Sequence, residues 1–215
     1  MFSKYLETSV LAFIQGLFEF IPVSSSAHLI LISKIKNFQI ASLQLDICLH
    51  LGSLIAIIIY FRKDLINILK NKSLIFLLFF GSVPLVLTGF IFHYSGLIDN
   101  LRSIKVIAWT SLIFGIILYI ADKKEVKKKI DLDLNLKNIV IIGIFQVLAI
   151  IPGVSRSGII ITASRFLNFD RIDSAKIAFY LSIPALAGAS VLGISDLLNE
   201  EVKFGIKKFK TYQIF

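Results

Sequence analysis

Residues 14–28 read IQGLFEFIPVSSSAH, and residues 145–158 read FQVLAIIPGVSRSG. Each stretch is apolar, is interrupted by proline, and continues into a serine-rich turn. With one residue inserted beside the proline the two stretches align, so that glutamine and proline match and Ser25 falls opposite Arg156. The chain therefore contains an internal repeat, and the two serine-rich turns are its most distinctive parts.

The surrounding composition is that of a membrane protein. Of the 215 residues, 56% are hydrophobic, whereas soluble domains have about 45–50% apolar residues. The mean hydropathy is +0.84. Uncharged runs such as 73–92 and 177–195 approach the ~20 residues that a helix needs to cross a bilayer. The sequence predicts an all-α, polytopic helical membrane protein.

The distribution of charge along the chain predicts its orientation in the membrane. The formal net charge is +9, but the Lys and Arg residues collect between apolar runs and are not interleaved with aromatic residues. This pattern argues against a nucleic-acid partner and for membrane lipids. Connectors 62–72 and 122–137 are rich in lysine and should be cytoplasmic by the positive-inside rule.

The two serine-rich turns do not follow simple spans. Residues 138–151 supply only 14 residues before the break, a length that favours a re-entrant segment over a full span. Irregular backbone is tolerated at membrane depth only beside protein or a water-filled cavity. We therefore expect two re-entrant helical hairpins, entering from opposite sides, whose tips meet around a polar cavity, as in inverted repeats.

The expected organisation follows from these hairpins. Residues 1–122 form the first repeat, with a re-entrant hairpin and three transmembrane helices. Residues 123–137 form a cytoplasmic loop. Residues 138–215 form the second repeat, which by symmetry lacks the last two transmembrane helices, as in a naturally short protein or a truncated product.

Glu19 lies inside the apolar run LFEFIPV, where a lipid-facing charge would cost roughly 2.5–3.5 kcal/mol. It should therefore face the interior or a cavity. Gln15 lies four residues earlier, on the same face of a helix. We predict that Gln15 and Glu19 hold a hydrated Mg²⁺ or Ca²⁺ together with substrate phosphate oxygens. The alternative for Glu19 is a polar plug bonded to a neighbouring helix.

Arg156 lies between two serines, just after Pro152 and Gly153. A guanidinium group binds phosphate oxygens in bidentate fashion, so Arg156 is the predicted phosphate clamp. The alternative is an arginine that marks a helix end. Backbone amides of the following helix and serine hydroxyls can complete an anion site. The predicted phosphate-binding residues are Ser24, Ser26, Ser155, Arg156 and Ser157.

His28 follows Ser25 by three residues, so one helical turn can bring the imidazole near the hydroxyl. Either serine attack or activation of water is open, and a polar surface histidine is the alternative. Asp46 is a secondary candidate that we expect to line the cavity, whereas His50 and His93 are expected to be structural. The predicted catalytic residues are Glu19, Ser25, His28 and Arg156.

QGLFEFIPVSSSAH and PGVSRSG resemble the paired signatures of the bacitracin-resistance-type undecaprenyl-diphosphatases, over residues 8–195. The resemblance implies hydrolysis of the terminal phosphate of a C55 polyprenyl diphosphate, assisted by a divalent cation, in the bacterial cytoplasmic (inner) membrane. It also implies recycling of the lipid carrier for peptidoglycan synthesis, and bacitracin resistance. This chain departs from the family by having Ile160 where a threonine is usual, with Thr162 nearby, and by lacking two further spans.

Two other functions are considered. A polyprenyl-phosphate transporter or flippase would need the same clamp but no nucleophile, acid or metal. An inactive truncated homologue is the other alternative. The signature of the second membrane phosphatase superfamily includes Arg-Pro, a dipeptide absent from this sequence. The sequence does not fix the oligomeric state, and a homodimer stays open.

Overall fold

The computed structural model describes residues 2–36, 43–95 and 103–206. The described residues form helices, and the one bridge of strand type among them joins Lys128 to Phe169. The prediction of an all-α protein is confirmed. The helices are α1 (Phe2–Phe18), α2 (Ser25–Lys36), α3 (Leu43–Tyr60), α4 (Arg62–Lys70), α5 (Lys72–Ser95), α6 (Ile104–Asp122), α7 (Ile130–Asp133), α8 (Leu136–Gln146), α9 (Arg156–Phe166) and α10 (Arg171–Ile206).

Within the described ranges, three helices are long and apolar enough to cross a membrane. They are Lys72–Phe92, Ile104–Asp122 and Arg171–Ser195. They contain the apolar runs 73–92 and 177–195, and the assignment of a helical membrane protein is confirmed. Two of them lie within residues 1–122, where the sequence predicts three transmembrane helices, so that number stays a prediction.

Of the four helices that flank the two serine-rich turns, α1 has 17 residues and the other three are shorter. Helix α2 has 12 residues, and α8 and α9 have 11 residues each. At 1.5 Å per residue, such helices extend roughly 17 Å, about half of a ~30 Å hydrocarbon core. A short 3₁₀ segment, Val147–Ile150, continues α8 towards the second turn. The lengths suit half-spans, and the re-entrant geometry stays a prediction.

Each turn rests on its own apolar cluster. Below the first turn, the buried residues Leu11, Ile14, Leu29 and Leu49 join α1, α2 and α3. Below the second, a larger cluster joins α8, α9 and α10 and includes Ile139, Ile142, Ile160, Phe169 and Leu181. Each turn is thus supported by helices that pack against one another.

Helices α5 and α8 approach each other backbone to backbone. A Cβ atom built on Gly143 would collide with the carbonyl group of Gly81, and one on Gly81 would lie 2.8 Å from Cγ1 of Ile139. Close contact between helices in membranes is typically made at small residues. This contact fixes α8, and with it the approach to the second turn.

A buried arginine fastens the connector after α6 to the far end of α9. Arg165 is 2% exposed. Its guanidinium donates to the carbonyl oxygens of Phe169 at 2.6 Å, and of Asp122 and Lys124 at 2.8 Å each. Because a buried guanidinium without such partners is costly, these bonds define the path of the connector.

Asp170 caps the start of α10. Its carboxylate accepts from the backbone N–H of Asp173 at 2.7 Å and binds Lys129 at 3.0 Å. These contacts hold the pKa of Asp170 below its ordinary value, first through the Asp173 amide and then through Lys129. The carboxylate in turn raises the pKa of Lys129.

Asp170→Asn should lower stability at neutral pH by about 0.5–1 kcal/mol, the usual size of a charge effect at a helix N-terminus. Because the folded pKa of Asp170 is lowered, its stabilising effect is complete above the ordinary value of 3.8. It is lost as the pH falls through the lowered folded value. Thermal unfolding in detergent micelles at a series of pH values measures the difference between the two proteins.

Glu125→Gln is the matched control, because Glu125 forms an exposed ion pair with Lys127 in the same connector. Exposed pairs contribute little, so this variant should unfold like the unmodified protein. A loss in Asp170→Asn that stays constant down to pH 2 would contradict the role given to the carboxylate.

Candidate active site

The two serine-rich turns meet. The guanidinium of Arg156, from the second turn, forms a salt bridge with the carboxylate of Glu19, from the first. The hydroxyl of Ser157 donates to the carbonyl oxygen of Ile21 at 2.8 Å. The two serine-rich turns are therefore in contact, as the sequence predicts, and the contact joins one acidic and one basic side chain. That they are the tips of re-entrant hairpins stays a prediction.

Glu19 is the hub of this centre and is 8% exposed. Besides Arg156, which binds Oε1, two groups donate to Oε2: Nε2 of Gln15 at 2.8 Å and Oγ of Ser25 at 2.6 Å. Both carboxylate oxygens are therefore engaged, and the residue is held in one orientation. Glu19 and Gln15 share a face of α1 and its continuation, as their spacing predicts.

Two polar groups at the centre lack a hydrogen-bond partner among the described residues. They are Nε of Arg156, a donor, and Oε1 of Gln15, an acceptor, and both atoms are buried. Buried polar groups are normally satisfied. Nε of Arg156 can therefore donate to an anion, and Oε1 of Gln15 can accept from a donor or bind a cation.

The two turns have the same local structure. Oγ of Ser24 accepts from the backbone N–H of Ala27 at 3.3 Å, and Oγ of Ser155 accepts from that of Gly158 at 3.1 Å. In each turn, the capping hydroxyl also lies 3.1 Å from the serine two residues later. Each turn is therefore the start of a helix, where backbone N–H groups favour anions.

His28 lies one turn into α2. Its Nδ1 lies 2.7 Å from the carbonyl oxygen of Ser24, so Nδ1 carries a proton, because a carbonyl oxygen only accepts. Its ring stacks on Phe18 with a centroid separation of 4.1 Å. Ser25, which the sequence places one turn away, donates to Glu19 instead. The imidazole is thus fixed in position, with Nε2 as the atom that can exchange a proton.

Helix α6 supports the second turn through two residues that the sequence reading did not single out. Thr110 donates to the carbonyl oxygen of Pro152 at 2.7 Å, and Ser111 to that of Gly153 at 3.2 Å. Gly153 has φ +93°, a conformation that favours glycine. The adjacent hydroxyl residues in the apolar run IAWTSLIF are the signal that could have revealed this support.

Ile160 stands where the resemblance described above leads us to expect a threonine. Ile160 is fully buried in the apolar cluster under the second turn. Thr162 is 1% exposed and donates to the carbonyl oxygen of Gly158 at 2.7 Å. It lines a cavity of 190 Å³ together with Ser24, His28 and Ser155. A hydroxyl therefore borders the site at Thr162.

The secondary candidates are less informative. The side chains of Asp46 and His93 lie outside the described part of the chain, and His50 is half-buried in α3. Among the residues that the structure describes, no group of three His, Cys, Asp or Glu side chains could hold a metal ion. Any cation at the centre would therefore need oxygen atoms from Gln15, Glu19 and its ligand.

Fold and site together define a helical membrane protein in which two turns of equivalent local structure meet at a salt bridge between Glu19 and Arg156. The family model described as Bacitracin resistance protein BacA matches residues 8–213. The chain belongs to this family. It is 51% identical over 201 residues to an undecaprenyl-diphosphatase of Pelagibacter ubique (strain HTCC1062), covering 93% of this chain and 78% of that protein.

Two further relatives carry the same name. An undecaprenyl-diphosphatase of Elusimicrobium minutum (strain Pei191) is 42% identical over 216 residues, or 96% of this chain and 83% of that protein. One of Hahella chejuensis (strain KCTC 2396) is 42% identical over 200 residues, or 87% of this chain and 74% of that protein. The family resemblance indicated by the two turns is confirmed.

Gly153→Ala should destabilise the protein by about 1–3 kcal/mol, the usual cost of an unfavourable backbone conformation. The added Cβ would also collide with the hydroxyl of Thr110. Thermal unfolding in detergent measures this loss.

Gly89→Ala in α5 is the control, because a Cβ built there meets nothing within 4 Å and alanine favours helix by about 1 kcal/mol. Its melting temperature should be equal to or above that of the unmodified protein. Equal melting temperatures for Gly153→Ala and the unmodified protein would refute the account of the second turn.

Proposed function

We propose that this chain hydrolyses undecaprenyl diphosphate to undecaprenyl phosphate and inorganic phosphate, in the bacterial cytoplasmic membrane. The observation that carries the proposal is the contact of Ser25 and Arg156 with one buried carboxylate, Glu19. In the proposal, Ser25 is the nucleophile, Glu19 the base and Arg156 the phosphate clamp. Membership of a family whose named relatives are undecaprenyl-diphosphatases supports it.

Arg156 binds the diphosphate. Its guanidinium uses one nitrogen for Glu19 and leaves Nε without a partner in the described structure. The N-termini of α2 and α9 bring backbone N–H groups to the same centre, together with the hydroxyls of Ser24, Ser26, Ser155 and Ser157. Such an arrangement stabilises the negative charge of a phosphoryl group in transfer.

Ser25 is the nucleophile that the geometry supports best. Its oxygen forms a bond to the terminal phosphorus while the bond from that phosphorus to the bridging oxygen breaks, and undecaprenyl phosphate leaves. The hydroxyl proton passes to Glu19, which lies 2.6 Å from Ser25. Water then attacks the phosphoserine, releases inorganic phosphate and restores Ser25. Direct attack by water at the same phosphorus is the alternative, with Glu19 again as base.

His28 completes the set as the acid. Its Nδ1 is tied to the carbonyl oxygen of Ser24, which leaves Nε2 to hold or donate a proton. The residue borders the same cavity as Ser24 and Ser155. A proton given to the bridging oxygen makes undecaprenyl phosphate a better leaving group.

A divalent cation, Mg²⁺ or Ca²⁺, belongs to the proposal. Gln15 and Glu19 would hold it, because Oε1 of Gln15 is a buried oxygen without a partner in the described part. When bound, the cation would offset the negative charge of the phosphate oxygens. One carboxylate and one amide oxygen suit an ion that arrives with a diphosphate.

The topology of the membrane protein is also part of the proposal. Hairpin one (α1 and α2) enters from the outer side and hairpin two (α8 and α9) from the cytoplasmic side, with both lysine-rich connectors inside. The centre then lies within the membrane and opens outwards. Hydrolysis there would return the lipid carrier to peptidoglycan synthesis and give resistance to bacitracin.

Purified protein in detergent should release phosphate from undecaprenyl diphosphate, and Arg156→Lys should lower the rate on the order of 100-fold. An ammonium group keeps the charge but cannot reproduce the guanidinium fork on a phosphate. Phosphate release under initial-rate conditions is the measurement.

Arg171→Lys is the control, since Arg171 is an exposed partner of Asp122, outside the centre. Its rate should stay within about twofold of the unmodified rate, the small effect expected at an exposed ion pair. Full activity of Arg156→Lys would exclude Arg156 as the clamp.

Chelation by EDTA should abolish phosphate release, and Mg²⁺ or Ca²⁺ should restore it. Glu19→Gln should either eliminate activity or raise the cation concentration needed for half-maximal rate by tenfold or more, because Gln15 alone leaves no carboxylate for the ion. A metal titration of both proteins is the measurement. Identical titration curves would refute the metal assignment, and activity that EDTA leaves unchanged would refute the cation itself.

A further inference from the structure

A small cavity of 190 Å³ borders both serine-rich turns. Around the turns its lining includes the polar side chains of Ser24, His28 and Ser155 beside apolar ones such as Val23. Helix α6 contributes Ser111, Phe114, Gly115 and Leu118.

At Gly115, the lack of a side chain leaves space beside α6. A Cβ built on Gly115 meets nothing within 4 Å, and the residue is exposed. Neither a close backbone contact nor a positive φ angle calls for glycine here, although glycine costs a helix about 1 kcal/mol relative to alanine. What the glycine does provide is space between α6 and the cavity.

Ser111, Gly115 and Leu118 are spaced by four and three residues, so they follow one face of α6. Along this face the polar end, Ser111, contacts the second turn, and Leu118 lies at the apolar end. Ala27 of α2 borders the same cavity. The cavity therefore leads from phosphate-binding groups to apolar side chains between α2 and α6.

We propose that Gly115 keeps open the passage between α2 and α6 through which the isoprenoid chain of the substrate runs from the diphosphate centre into the lipid. This inference rests on the proposed function. A diphosphate head must stay among polar groups, whereas its hydrocarbon chain is most stable in lipid. The chain therefore needs a lateral opening at the centre, and this cavity joins the two environments.

A second groove is larger but does not meet this requirement. It has a volume of 510 Å³ and lies between α4, α5 and α10, with Leu78, Val83 and Tyr180 among its lining residues. None of the residues that line it belongs to either serine-rich turn. A chain bound there would not be continuous with a diphosphate at Arg156.

Labelling of Gly115→Cys tests the passage in protein that has already folded. The background is Cys48→Ala, because Cys48 is the single cysteine of the chain and is exposed. The Gly115→Cys protein is treated with methyl, then benzyl, then longer alkyl methanethiosulfonates. Phosphate release is measured with undecaprenyl diphosphate and with a five-carbon isoprenyl diphosphate, which has almost no chain to accommodate. Gly89→Cys, labelled in the same way, is the control, because a Cβ built at Gly89 in α5 also meets nothing within 4 Å and Gly89 does not line this cavity.

We expect the rate with undecaprenyl diphosphate to fall with label size, by tenfold or more for the largest label. The rate with the five-carbon substrate should change less than twofold, and dithiothreitol should restore the long-chain rate. Labelled Gly89→Cys should keep both rates. Leu118→Cys, at a residue that lines the same cavity, provides the same comparison if Gly115→Cys does not yield folded protein.

Two results would overturn the passage: no effect of label size, or equal losses with both substrates, since these would place Gly115 away from the chain or at the diphosphate itself. The proposed function fails in a different way. In that case the unlabelled Cys48→Ala protein releases no phosphate from either substrate.

Discussion

The salt bridge between Glu19 and Arg156 is the interaction on which the site depends. Glu19 lies in the apolar run that continues α1, and Arg156 is the first residue of α9. In a membrane, either charge would be destabilising without a partner of opposite charge. Together they neutralise each other, and Gln15 and Ser25 complete the shell of the carboxylate. Removing one partner of a buried pair typically costs about 3–5 kcal/mol. The salt bridge therefore stabilises the contact between the two turns.

The rest of the described fold can be understood as the support of this contact. Helix α6 holds the second turn through Thr110 and Ser111, and the glycine contact between α5 and α8 fixes the approach to it. Ser157 ties the turns together through the backbone of Ile21. Because the support is made largely by rigid helices, the serine hydroxyls and helix N-termini can be arranged before a phosphate arrives, which favours catalysis by a preorganised centre.

The sequence predicted the architecture from hydrophobic length and the site from two aligned turns. Membrane helices are uniformly apolar, so their presence could be read directly, and Ser24 and Ser155 share a capping role because helix starts have a local signature. The pairing of Glu19 with Arg156 was not predicted, since 137 positions separate them. Nor was the support from Thr110 and Ser111. Such contacts depend on how helices cross, which no local pattern encodes. Ser25, whose spacing places it near His28, donates to Glu19, six residues earlier in the chain.

A double-mutant cycle on Glu19 and Arg156 measures whether this salt bridge joins the two turns. Thermal unfolding in one detergent is compared for the unmodified protein, Glu19→Gln, Arg156→Gln and the double variant. We expect each single variant to lose stability, because it leaves one charge unpaired. The loss in the double variant should be smaller than the sum of the two single losses by about 1 kcal/mol or more. Additive losses would contradict the account, because the two side chains would then contribute independently and would not join the turns.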